Sequence, residues 1–92
     1  LQPDSATAYY LLASVQYLTN DISNARINFS KVVSLEPDNI IARNALIRIN
    51  LNSKSNNLSQ SLFQAGELIA INPNIALSHE TLADVYLLKN KP

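Results

Sequence analysis

One short punctuation recurs along this chain and limits what it can fold into. Leu1-Gln2-Pro3-Asp4, Leu35-Glu36-Pro37-Asp38 and Ile71-Asn72-Pro73-Asn74 each set a proline two positions after an aliphatic residue. Proline cannot continue a helix, and the Asp or Asn behind it offers an acceptor to the free N–H groups of a new one. Each occurrence therefore stops one helix and starts another. Pro3 to Pro37 is 34 residues and Pro37 to Pro73 is 36. A period of that length, holding one helix pair, marks a repeat array whose units stack as a solenoid.

Taken in order, the chain predicts five helices. Asp4 or Ser5 caps the first, which runs to about Leu18 with Tyr9, Leu12, Ala13 and either Gln16 or Tyr17 facing inward. Asn20 ends it, because a short polar side chain tolerates positive φ. Asp21 caps a second helix from Ile22 to about Leu35, whose apolar residues Ala25, Phe29, Val32 and Val33 recur three and four apart. Asp38 caps a third, Asn39 to about Asn52, with a greasy face of Ile40, Ala42, Leu46, Ile47 and Ile49. A longer turn, Ser53-Lys54-Ser55-Asn56-Asn57, takes up the two extra residues of the second period. Asn57 then caps Leu58 to about Ile71, and Asn74 caps Ile75 to about Lys89. No strand-like alternation competes. The fold expected is an all-α antiparallel stack forming one domain over residues 1–92, divided into a repeat at about 4–37, a second at about 38–73 and a partial third at about 74–92.

Seven basic and seven acidic residues give a formal net charge of zero, and they are spread singly. That balance argues against a nucleic-acid footprint or a polybasic membrane surface. Charged residues make up 15% of the chain, below the roughly 25% of an average globular domain, so Asn and Ser supply much of the polar surface. Cysteine is absent, which excludes disulfides and thiolate metal sites and leaves the compartment open. No apolar run approaches the roughly 18 residues of a spanning helix. The chain opens on the tail of one repeat and closes at Lys89-Asn90-Lys91-Pro92, as a piece of a longer array would.

These residues resemble the tetratricopeptide repeat (TPR) family, whose unit combines a Trp-x2-Leu-Gly-x2-Tyr helix, an Ala-x3-Phe helix and a closing Pro. The first unit reads Tyr9-x2-Leu12-Ala13, Ala25-x3-Phe29 and Pro37; the third reads His79-x2-Leu82-Ala83-x2-Tyr86. The middle unit departs most, with Arg43-x2-Leu46-Ile47, Ser61-x3-Ala65 and Pro73, and Leu68 stands where the family usually has Ala. Asn20, Asn56 and Asn90 replace the family's interhelix glycine. The resemblance implies a right-handed α-solenoid of antiparallel helix hairpins and a non-enzymatic protein–protein interaction module that binds a peptide or protein on its concave face. It places Thr7, Tyr10, Ser14, Tyr17, Ile41, Asn44, Arg48, Leu51, Leu77, Glu80, Asp84 and Leu87 along that groove. Of these, Tyr10, Ser14, Tyr17, Asn44, Arg48, Glu80 and Asp84 are the candidate partner-binding residues, since Tyr and Arg anchor interfaces. The family's clamp for chaperone C-terminal carboxylates needs cations where this chain has Tyr10, Ser14, Ala45, Leu77 and Thr81. That ligand is not expected. The competing reading is a structural spacer or self-association scaffold, in which Arg48 bridges to Glu80 or Asp84. The composition also resembles long TPR arrays of bacterial envelope lipoproteins, which would place the chain in the cell envelope.

Little else suggests chemistry. Glu80 and Asp84 lie four apart on one helical face, a spacing open to acid–base work, but no Gly-rich loop or ligand cluster accompanies them. His79, the only histidine, is read as a packing residue. Neither a catalytic site, a cofactor nor a metal is expected. Gly66, the sole glycine, falls inside the fourth helix, where it costs about 1 kcal/mol relative to Ala. Leu82, Val85 and Tyr86 form an apolar face without a partner helix, through which self-association at the C-terminal end is expected.

Overall fold

A computed structural model describes residues 5–53 and 57–90. Asp4, the residues before it and Lys54, Ser55 and Asn56 of the long turn lie outside the described residues. Among those described there are five helices and no strand: α1 (Ala6–Leu18), α2 (Ile22–Leu35), α3 (Ile40–Leu51), α4 (Leu58–Ile71) and α5 (Ala76–Lys89). The chain divides into two compact units, Leu1–Leu46 and Ile47–Pro92, with the boundary inside α3.

In the first unit α1 packs on α2. Ala13 of α1 and Ala25, Phe29 and Val32 of α2 are buried, and the α2 residues recur four and three apart, as one face of a 3.6-residue helix requires. Tyr10 meets Phe29 edge-on at 6.1 Å and 69°, the geometry favoured by the aromatic quadrupole. Lys31 Nζ sits 5.0 Å from the Tyr9 ring centroid. Gln16, not Tyr17, turns toward α2: its Oε1 accepts from Asn28 Nδ2 at 2.8 Å, and Asn28 is buried. Leu12 departs from expectation by standing 48% exposed. Periodicity names the apolar side of a helix but does not say how many neighbours cover it.

In the second unit α4 packs on α5. Ile47 at the end of α3 and Ser61, Ala65 and Leu68 of α4 are buried. These four stand at the positions that Ala13, Ala25, Phe29 and Val32 hold in the first unit, with the same four-and-three spacing along the second helix. Both units thus bury one register. The exchange of Phe29 for Ala65 is accompanied by Val32 for Leu68, so volume lost one turn earlier returns one turn later. In α5 the buried residues are Ser78, Thr81 and Val85, while Ala83 is exposed and Leu82 only partly buried.

The turns repeat as well. Asn39 N–H donates to Glu36 O at 3.0 Å and Ile75 N–H to Asn72 O at 3.4 Å, each closing a four-residue turn with proline at its second position, where a fixed φ is preorganised. Arg43 Nε donates to Pro37 O at 2.5 Å, and His79 Nε2 lies 2.6 Å from Pro73 O. Arg43 and His79 each sit six residues past their proline and satisfy the same carbonyl. His79 is therefore an exposed turn anchor, not the packed residue expected from sequence. Asn20 ends α1 at φ 65, as its side chain allows.

The caps correct several expectations. Asn57 accepts from Gln60 N–H at 3.0 Å as foreseen. The third helix begins one residue later than expected, because Asn39 rather than Asp38 accepts from Ala42 N–H, at 3.0 Å. Ile75 occupies the cap position of α5 with no side-chain cap, and Asn74 lies before it. Ser5 and Asp21 hold cap positions without side-chain capping bonds; Asp21 Oδ2 instead accepts from Asn24 Nδ2 at 2.9 Å.

Candidate functional site

Each unit carries a depression on the face of its first helix. In the first unit a cavity of about 220 Å³ lies among Ala6, Thr7, Tyr10, Glu36, Asn39 and Ile41. Its walls come from the start of α1, the Pro37 turn and the start of α3, so the turn bonds that fix Asn39 also fix the rim. Ile41 is 55% exposed there. Of the candidate residues, Tyr10 lines this cavity while its ring edge rests on Phe29, which holds the side chain in place.

In the second unit a larger cavity of about 470 Å³ is lined by Arg48, Leu51 and Asn52 from the end of α3 and by Asp84, Leu87 and Leu88 from α5. Arg48 Nη1 donates to Asp84 Oδ2 at 2.5 Å, and its Nη2 reaches Thr81 Oγ1 at 3.3 Å. Asp84, not Glu80, is thus the partner of Arg48, and Glu80 points to solvent. The ion pair is partly exposed, at 30% and 38% for the two side chains. In that setting it contributes at most about 1 kcal/mol to stability. Its chemical effect is larger: the guanidinium and the carboxylate neutralise each other, so one wall is polar without net charge. The rest of the lining is Leu51, Leu87, Leu88 and the uncharged Asn52. This arrangement suits an aliphatic side chain more than an anion.

The remaining candidates are less available. Ser14 Oγ donates to Tyr10 O of its own helix at 2.8 Å, a back-bond common for hydroxyls inside helices. Tyr17 is 39% exposed but lines neither cavity. Asn44 is partly buried and has a partner of its own. Leu51, expected in the groove, is 8% exposed and serves as cavity floor. Thr81 is fully buried and held by Arg48. Sequence reasoning missed Asn52 and Leu88. Its signal was present for Leu88, which lies four residues after Asp84 and so shares its helical face.

Among the described residues no group of three His, Cys, Asp or Glu is placed to hold a metal ion, and no helix is long and apolar enough to cross a membrane. The C-terminal apolar face differs from expectation. Val85 is fully buried rather than open, Leu82 is partly buried, and the exposed large apolar residues of α5 are Tyr86 and Leu87. No family model matches this sequence, and no curated protein is significantly similar to it.

Proposed function

We propose that this chain is a tetratricopeptide-like array of right-handed helix hairpins that works as a non-enzymatic protein-interaction module, gripping an extended or helical peptide on the faces of its first helices. The observation that carries the reading is the repeated register. Ala13, Ala25, Phe29 and Val32 are buried in one unit and Ile47, Ser61, Ala65 and Leu68 in the other, and in both the first helix keeps a cavity on its free side. Side chains that bury in their own hairpin are unavailable to a partner; those beside them are fixed by that burial. A partner then supplies most of the ordering entropy. Ile41 and Leu87, 55% and 67% exposed, would each contribute on the order of 1–2 kcal/mol when a ligand covers them. Arg48 and Asp84 would orient the ligand by hydrogen bonds rather than attract it by charge.

The test is selection of binders from a random peptide library against the folded chain, followed by Ile41→Glu and Leu87→Glu variants. Both positions are more than half exposed, and circular dichroism checks that the helices persist. Enriched peptides with aliphatic anchors that lose binding to these variants support the reading. A library that yields no binder, or binders indifferent to both substitutions, overturns it in favour of a spacer or scaffold.

A further inference from the structure

The cavity of the first unit holds a charge that no neighbouring cation neutralises. Glu36 follows α2 as its C-terminal cap residue, directly before Pro37, and its side chain lines the cavity of about 220 Å³ together with Thr7, Tyr10, Asn39 and Ile41. Among the described residues it is the one charged group in that lining. Asn39 holds it there: Asn39 Nδ2 donates to Glu36 Oε1 at 3.0 Å, while Asn39 Oδ1 accepts from Ala42 N–H, also at 3.0 Å. One side chain thus caps α3 and fixes the carboxylate, so the helix start and the charge are positioned together.

Among the described residues no cation forms an ion pair with Glu36. Lys31 sits over the Tyr9 ring, and Arg43 donates to Pro37 O instead. Glu36 is exposed, so water solvates the charge until a ligand replaces it. Beside it Tyr10 presents a ring pinned by Phe29, and Ile41 an aliphatic wall that is more than half exposed. An alkyl stem ending in a cation fits such a lining: the stem lies on apolar surface, and the head reaches the carboxylate or the ring face. Oε1 is already engaged by Asn39, which leaves Oε2 for direct contact. That suits the compact ammonium of lysine better than the planar guanidinium of arginine, whose fork takes both carboxylate oxygens. Nor is the cavity part of the apolar flank of α1 that carries Val15. Tyr10 lies about 140° around the helix from Val15, and on α5 the residue at that flank's register, Val85, is fully buried, with α5 packed on α4.

We propose that the first-unit cavity receives one lysine side chain of the peptide partner, with Glu36 as its counterion and Tyr10 and Ile41 as walls for its stem. The inference rests on the peptide-binding reading above and adds the charge of the ligand to it.

Titration of the isotope-labelled chain with short capped peptides, Ala-Ala-X-Ala-Ala at millimolar concentration with X lysine, arginine or norleucine, tests this. The lysine peptide should move the amide signals of Thr7, Tyr10, Asn39 and Ile41 saturably. Arginine should bind more weakly, and norleucine most weakly, because it loses the ion pair and the ring contact together. Glu36→Gln keeps an oxygen for Asn39. It should weaken the lysine peptide about two- to five-fold, the range of an exposed ion pair, and leave the norleucine peptide unchanged. Asp38→Asn removes a charge from the same turn but outside the lining, and should leave both unchanged. No response to lysine, equal binding of lysine and norleucine, tighter binding of arginine, or an equal loss with Asp38→Asn overturns the proposal. Library-selected binders lost with Leu87→Glu but indifferent to Glu36→Gln would sink this inference and leave the peptide-binding reading standing. Saturable binding of the lysine peptide beside a library that yields no binder would do the reverse.

Discussion

Replacing Gly66 by alanine should stabilise the protein, and the structure fixes both the sign and the size. Gly66 lies near the middle of α4 and is exposed. A Cβ built on it meets nothing within 4 Å, so the added methyl neither clashes nor fills a gap. Nor does Gly66 have positive φ, so no left-handed backbone demands glycine. What remains is the conformational freedom that glycine loses on folding and alanine does not. That difference is about 0.8–1.0 kcal/mol on helix-propensity scales and about 0.4–1 kcal/mol in folded proteins. With a urea slope of roughly 1–2 kcal/mol per molar, the midpoint should rise by about 0.2–1 M at unchanged slope. The melting temperature should rise by about 2–8 °C for a domain of this size. The assay is urea and thermal unfolding followed by circular dichroism at low concentration. An unchanged or lowered midpoint would refute the reasoning, because it would mean that another group approaches the backbone at Gly66.

Three further outcomes follow from the packing and the turns. Leu68→Ala removes a fully buried side chain and should cost about 2–5 kcal/mol, whereas Phe63→Ala, at a site 69% exposed, should stay within about 0.5 kcal/mol; urea unfolding of both compares them directly. Asn20 at φ 65 should accept glycine almost without loss, while Asn20→Val should cost about 1–2 kcal/mol, read as the difference in midpoint. His79→Phe keeps a ring at this exposed position yet removes the donor to Pro73 O. It should therefore lower stability by about 0.5–1.5 kcal/mol, with faster amide exchange at Asn74 and Ile75.

Much of this architecture was legible because its signals are local. Proline stops a helix wherever it falls, and Asn20 and Asn57 act through their own backbone and the next turn, so their roles needed no knowledge of neighbours. The errors cluster where a distant group decides. Asp38 looks as good a cap as Asn39, but the Glu36–Asn39 turn consumes one more residue before the helix starts. A lone His79 without companion ligands or a nucleophile reads as a packing residue; only the fold shows that Arg43 and His79 both reach back to a proline carbonyl. Leu12 and Val85 were misjudged in opposite directions for one reason. A stripe of apolar residues does not state which of its sides receives a neighbour, and Leu12 remains half exposed while Val85 is sealed. For the candidate site, Arg48 and Asp84 are placed on one face only by the family resemblance, and their mutual neutralisation depends on side-chain approach between α3 and α5, which no linear pattern specifies.

The account rests on both units burying the same register, and the absence of cysteine allows a direct measurement of it. Single cysteines introduced by Ala13→Cys, Ala25→Cys, Ser61→Cys and Ala65→Cys replace small residues that are at most 1% exposed, and Ala83→Cys replaces an exposed one. Thiol labelling of the native protein should be slow at the first four sites in both units, and fast at Ala83→Cys. Fast labelling at Ser61→Cys or Ala65→Cys, with slow labelling at Ala13→Cys and Ala25→Cys, would contradict the repeated register on which the proposed function depends.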